Sequence, residues 1–330
     1  ALSTALSATV GLGNIGGVAL AISLGGPGAV FWMWVVGFLG MAIKLSEVSL
    51  SMIHRNTDDP DNPSGGPMWV VERNFSGKKG LMKYLGKLIA GIFCFALIIN
   101  TITAGNMFQA WNVANLTEAY FGVPTIATGM ILALIVGSVI IGGIKRIGAV
   151  TSKLVPIMLI IYILACIYVL SINVTAIPEM LKLIVRAAFS PMESSNAFLG
   201  GTAGAAFIFG MQRALFSNEA GQGSSAIAHS AAKTDEPVRE GVVAGLEPFI
   251  DTIVVCTMSA LVILVTGIWN RPAEVQLSDL TVNQSGQSWS IDGSISNAPT
   301  LFDGNKVFMI YSGSENTEAG NSLHKVYGRV

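Results

Sequence analysis

Long apolar runs dominate this chain. Largely uncharged stretches cover 6–24, 29–53, 85–113, 125–144, 150–172, 198–232 and 242–268. A helix of about 20 apolar residues crosses the hydrocarbon core of a bilayer, so the pattern predicts an all-α, polytopic membrane protein with about seven transmembrane helices. The sixth run is the least uniform, interrupted by Gln212, Arg213, Ser217, Asn218 and Glu219. Between the second and third runs, Asp58-Asp59-Pro60-Asp61-Asn62-Pro63 marks a connector that belongs in water. The tail at 269–330 is polar with alternating segments such as Val307-Phe308-Met309-Ile310-Tyr311, and reads as an extracytoplasmic loop or small β-rich insertion. The chain opens on Ala1 and stops within this polar stretch, so the expectation is a fragment incomplete at both ends.

Composition narrows the class. Of 330 residues, 52% are hydrophobic and 12% charged, with a net charge of −1, against roughly 25% charged in soluble domains. A disordered segment needs high net charge and a nucleic-acid binder a basic face, so neither fits. Cys94, Cys166 and Cys256 lie inside apolar runs, without zinc or disulfide spacing. Eleven basic residues cluster at the connectors after the second, fourth and sixth runs, against only Lys182 and Arg186 in the other short connectors. By the positive-inside rule these connectors are cytoplasmic, the N-terminal end enters from the cytoplasm, and the protein is a multi-pass protein of the cell membrane.

Two runs contain unusual breaks. The first holds Val10-Gly11-Leu12-Gly13-Asn14-Ile15-Gly16-Gly17, which fits G-x-G-x-x-G but lacks the strand and the well-spaced acid of a dinucleotide fold. Its glycines serve either close helix packing, at Gly16 and Gly17, or a helix unwound in mid-membrane, at Gly11 and Gly13. The sixth run repeats the arrangement in Ser217-Asn218-Glu219-Ala220-Gly221-Gln222-Gly223-Ser224. Five runs separate the two breaks. An odd number of helices inverts the second unit against the first, giving a five-plus-five inverted repeat with one unit over 1–173 and a second starting at 198–268. Half-helix N-termini then favour a carboxylate and freed carbonyls favour an ammonium or Na+.

At these segments the chain resembles the alanine or glycine:cation symporter family. The resemblance rests on ALSATVGLGNIGGV at 5–18, GGPGAVFWMWVVGF at 25–38 and QRALFSNEAGQGSSAIAHSAAKTDE at 212–236, and runs through most of 1–267. It implies a leucine-transporter-type fold and Na+-coupled symport of alanine or glycine by alternating access. It further implies solute contacts from Thr9, Gly11, Gly13 and Asn14, with backbone carbonyls of Ser7 and Val10 in a sodium site. Phe216 would cap the solute, Ser217, Asn218, Gly221 and Gly223 would add contacts, and Gln109 would lie nearest the solute or serve an interhelical hydrogen bond. In this fold an eighth helix completes the sodium site, and the resemblance implies that this chain is truncated before it. Na+ is the coupling ion, with no organic cofactor; the partners are a small amino acid and the bilayer, not nucleic acid, and oligomeric state stays open.

Other residues carry alternatives. H+ could replace Na+, with Glu219 as carrier, or Glu219 could pair with Arg213. Lys44 and Glu47 read as an internal pair. Glu247 and Asp251, four apart on one helical face, read as packing groups or joint cation ligands. His54 and His229 read as solvated, and Trp32 and Trp34 as interfacial anchors. A channel would need a selectivity filter, and an enzyme a nucleophile–base constellation, that the sequence lacks.

Overall fold

A computed structural model describes residues 2–59, 63–189 and 203–270, together with strand segments 281–285, 288–292, 306–312 and 323–329. The path begins with α1 (Leu2–Thr9), a tight 3-10 turn at Leu12–Asn14 and α2 (Gly16–Gly25), then α3 (Gly28–His54), α4 (Pro67–Ser76) and α5 (Leu81–Asn100). A π-helical stretch, Thr101–Met107, joins α5 to α6 (Phe108–Phe121); α7 (Thr125–Ile140), α8 (Gly143–Ile172) and α9 (Ile177–Phe189) follow. Next come α10 (Ala203–Asn218), α11 (Ser224–Ser230) and α12 (Pro237–Pro248), with a second π-helical stretch at Phe249–Cys256 leading into α13 (Thr257–Val265).

Among the described residues, four continuous helices are long and apolar enough to cross a membrane: Gly28–His54, Leu81–Phe121, Arg146–Ile172 and Pro237–Val265. Leu12–Gly25 and Thr125–Ile140 are shorter apolar helices. Ile92, Phe95, Ile98, Leu134, Ile160 and Leu164 stand exposed on the outer faces of α5, α7 and α8. Such a surface suits lipid rather than water. The chain is a multi-pass membrane protein.

α3 is the central strut. Its buried positions Val30, Met33, Gly37, Gly40, Lys44, Val48 and Ser51 recur every three or four residues and form one stripe. α10, α11 and α12 pack along that stripe. Lipid tails are as apolar as Leu, so helix association rests on close packing and interhelical hydrogen bonds rather than on dehydration. At Gly210 a Cβ would lie 2.3 Å from the Ala29 carbonyl oxygen, so only glycine allows α10 this close to α3. A buried cluster of Val18, Ile22, Val30, Met33, Ile184 and Leu264 joins α2, α3, α9 and α13.

The boundaries depart from the hydropathy pattern in several places. α4 and α9 occupy segments expected as connectors; each is too short and too charged to register as a span. α9 nevertheless buries Ile184, Ala187 and Ala188 and packs on α3. The sixth run splits into α10 and α11, and its expected start at 198–202 lies outside the described residues. Trp32 and Trp34, expected as interfacial anchors, sit half-buried against neighbouring helices. Trp32 packs edge-on against Phe207 and donates to the Ala188 carbonyl, and Trp34 donates to Thr257 Oγ1 at 2.7 Å. In the tail, β1 (Thr281–Ser285) pairs antiparallel with β2 (Ser288–Asp292), and β3 (Lys306–Ser312) with β4 (Leu323–Arg329).

Candidate substrate and ion site

The first break unwinds in two steps. Val10 N–H closes the last α-turn on Leu6, and the Gly11 N–H is then taken by Asn14 Oδ1 at 2.7 Å. Asn14 and Ile15 bond back to Gly11 and Leu12, which makes the 3-10 turn from which α2 starts. Neither Gly11 nor Gly13 has a left-handed backbone. A Cβ on Gly11 would lie 3.9 Å from Gln109 Oε1 and one on Gly13 3.6 Å from the Phe216 ring, both ordinary contacts, so only a side chain longer than alanine's would press on these groups. A Cβ on Gly16 would meet nothing within 4 Å, so this residue is not a packing contact.

The second break works differently. Glu219, Gly221 and Gly223 all have positive φ, at 52°, 83° and 80°, which turns the chain sharply between α10 and α11. Asn218 Oδ1 accepts the Ala220 N–H at 3.0 Å, and the Glu219 carboxylate accepts the Ser224 hydroxyl at the start of α11.

The Asn14 side chain joins the two breaks. The Asn14 amide donates to Ser217 Oγ at 3.0 Å and to Asp251 Oδ1 at 2.6 Å, with the Asp251 carbonyl and Cys256 Sγ also within reach. Ser217 and Thr252 donate to Asp251 Oδ2 at 2.7 and 2.9 Å. Asn14, Ser217, Asp251 and Thr252 are at most 1% exposed. The Asp251 carboxylate is thus held by neutral donors. Ser259 extends the web, donating to the Asn14 carbonyl and meeting the Tyr162 hydroxyl at 2.5 Å.

Beside the first break lies a cavity of about 700 Å³ bounded by α6, α7 and α8. Gly11, Asn14, Asn106, Gln109 and Tyr162 supply polar groups to a wall that is otherwise mostly apolar. Few polar groups in an apolar wall are what a small-molecule site requires.

The sequence model of the sodium:alanine symporter family matches residues 1–300. The chain belongs to the sodium:alanine symporter family. It is 44% identical over 282 residues to the sodium/alanine symporter AgcS of Methanococcus maripaludis, covering 85% of this chain and 59% of that protein. It is 39% identical over 306 residues to an uncharacterized transporter of Haemophilus influenzae, covering 92% and 65%. To the probable sodium/glutamine symporter GlnT of Bacillus subtilis it is 34% identical over 295 residues, covering 88% and 58%. The chain thus spans about three-fifths of the length of these relatives.

In this member of the family the residues singled out from sequence fall into three groups. Val10, Gly11, Asn14 and Gln109 line the cavity. Gly13, Phe216 and Ser217 sit immediately behind it: the Phe216 ring faces Gly13, with the Phe108 ring edge-on at 5.6 Å and the Arg213 guanidinium over it at 5.6 Å. Thr9 is buried, its hydroxyl turned back to the Leu6 carbonyl, and Ser7 is half-buried on the same half-helix. Asn218, Gly221 and Gly223 turn away from the cavity. Asn218 Nδ2 lies 3.2 Å from where a Gly40 Cβ would be, Gly221 N–H donates to Glu47 Oε2 at 3.0 Å, and Gly223 faces Pro67 and Phe93. The sharp turn at 219–223 carries them towards α3 and α4.

Glu247 and Asp251 do not share one site. Asp251 belongs to the Asn14 web, whereas Glu247 receives Ser225 Oγ at 2.8 Å, lies 3.0 Å from Lys44 Nζ and bonds His229 Nε2. Pro248, which has no N–H to donate, and the π-helical stretch beginning at Phe249 separate carboxylates that an α-helix would align. His229 is fully buried rather than solvated, and Lys44 is buried with it. Thr252 is a binding candidate that the sequence does not single out, whereas Asp251, expected to pack or to share a cation with Glu247, meets Asn14, Ser217 and Thr252 instead. At the end of α11, Arg55 donates to the carbonyls of Ser230, Ala232 and Thr234, satisfying groups that a helix terminus leaves open.

Proposed function

We propose that this chain carries the N-terminal portion of the core of a Na+-coupled symporter for alanine or glycine. The observation that supports the reading most is the Asn14 side chain, which binds the first break to Ser217 at the second and to the buried Asp251 carboxylate. A transporter needs solute and ion to sense each other, and one asparagine shared by the break and the carboxylate supplies a direct link.

In this reading the solute lies in the cavity at Gly11 and Gln109, its carboxylate towards the start of α2 and its amine towards the end of α1. Thr9, Gly13 and Asn14 shape the floor, and Phe216 and Ser217 close it from the second break. Asn218, Gly221 and Gly223 set the course of that break. The coupling ion sits by Asp251, where the Ser217 and Thr252 hydroxyls can rotate to present oxygen, with backbone carbonyls of Ser7 and Val10 completing an oxygen-rich set of the kind hard cations take. A Na+ falling through 100 mV contributes about 2.3 kcal/mol to uphill uptake. The two breaks belong to a five-plus-five inverted repeat, with 1–268 in the core, the N-terminal end cytoplasmic and 269–330 on the opposite side. The family match and the relative named as a sodium/alanine symporter support the choice of ion and solute.

Uptake of labelled alanine into proteoliposomes holding the full-length protein tests this. At fixed pH, replacing external Na+ with choline is expected to reduce uptake to the level of empty vesicles. Undiminished uptake in choline overturns the sodium reading.

A further inference from the structure

Both ring nitrogens of His229 face carboxylates. Nδ1 is 2.6 Å from Glu240 Oε1, and Nε2 bonds Glu247 Oε1. An ionised carboxylate only accepts hydrogen bonds, and a neutral imidazole has a single N–H, whichever tautomer it adopts. One nitrogen lone pair would then face a carboxylate oxygen. The arrangement closes only with one more proton than a neutral His229 and two ionised glutamates contain. We propose that His229, Glu240 and Glu247 form a proton-binding site that locks α11 onto α12.

The surroundings make this proton consequential. From α3, Lys44 Nζ lies 3.0 Å from Glu247 and 3.9 Å from Glu47, and Glu47 also receives Gly221 N–H at the second break. α1, which packs on α11 as well, carries no ionisable side chain. Within α11 itself Ser225 donates to Glu247, while Glu219 accepts from Ser224 at its start and Arg55 holds its last carbonyls. With His229 neutral, one cation faces three carboxylates; the added proton reduces that excess to one negative charge. His229 and Glu247 are sealed from solvent, but the Glu240 side chain keeps 12% of its surface exposed and offers the path by which the proton enters and leaves. The site lies on the half-helix that continues the second break and is independent of which solute or cation the protein carries.

The linkage has a definite sign. With α11 docked the cluster holds one proton more than when its members separate in water above the ordinary titration range of histidine. Raising pH therefore favours release of α11, and one linked proton makes that about tenfold per pH unit. Hydrogen exchange of the Ser224–Ser230 amides, corrected for intrinsic rates and read on the full-length protein without substrate, measures it. In the wild type, protection is expected to fall about tenfold per unit over the upper half of the pH 5–10 range. Glu240→Gln puts an N–H where the extra proton was needed, so it is expected to keep the protection and abolish the pH dependence. A flat wild-type profile, or a Glu240→Gln profile as steep as the wild type, overturns the proposal. Should Glu240→Gln not fold, nitrogen-labelled histidine resonances of the wild type serve instead, with His54→Gln and His229→Gln for assignment: a His229 ring with neither nitrogen showing a free lone pair at about pH 8, above the ordinary range of histidine, supports the site, and one with a free lone pair there overturns it. Neither readout involves alanine or Na+ uptake, so it stands apart from the transport test.

Discussion

Asn14 shows how much one amide can organise. Its carbonyl oxygen holds the Gly11 N–H and its amide reaches Ser217 and Asp251, so removing it strips donors from a buried carboxylate as well as untying the break. Its neighbour Gly13 matters for a simpler reason, because the Phe216 ring stands 3.6 Å from where a Cβ would be. Gly13→Ala then makes an ordinary contact, whereas the branched end of a leucine has to displace the ring. Overpacking of that kind costs about 1–3 kcal/mol, so calorimetry is expected to find alanine binding weakened about tenfold or more by Gly13→Leu and little changed by Gly13→Ala. Glycine-rich breaks, Asn14 and Gln109 are legible in the sequence because each is odd inside an apolar run. The role of Asp251 is not, since nothing in the chain order brings residue 251 to residue 14. His229 escapes a reading from sequence for the same reason: its two carboxylate partners come from another helix.

At the level of elements, the two breaks look alike as strings of glycine and small polar residues, yet they turn by different means. The first turns without a left-handed residue, through a 3-10 turn closed by the Asn14 side chain; the second uses left-handed angles at three positions. At Gly223 a side chain would meet both penalties, with a Cβ 2.5 Å from Pro67 Cγ and 2.8 Å from Phe93 Cζ, while at Gly221 the nearest atom is 3.7 Å away. A left-handed residue with a Cβ costs about 1–2 kcal/mol. Gly223→Ala is therefore expected to lower the melting temperature by several degrees and by more than Gly221→Ala, as thermal unfolding of the detergent-solubilised protein will register. Element lengths are the least legible feature. Hydropathy detects what lipid sees, so it finds the long helices but passes over α4 and α9, whose short apolar faces, such as Gly86 against Phe75 and Ile184 against α3, meet protein instead.

For the whole molecule, the distribution of lysine and arginine carries the orientation. If the N-terminal end is cytoplasmic, the α4–α5 and α11–α12 connectors share one side and the α8–α9 connector lies on the other. Cysteines at Lys78→Cys and Asp235→Cys are expected to react with an impermeant thiol reagent only after cells are opened, and one at Thr175→Cys to react in intact cells. The reverse pattern inverts the topology. The π-helical stretch at Phe249–Cys256 has a consequence for anyone drawing this protein as a helical wheel. An i→i+5 turn holds more residues than the 3.6 of an α-turn, so the wheel slips out of phase between Glu247 and Ser259. That slip lets one helix present its first acid to α3 and α11 and its second to Asn14, serving two polar clusters with a single crossing of the bilayer.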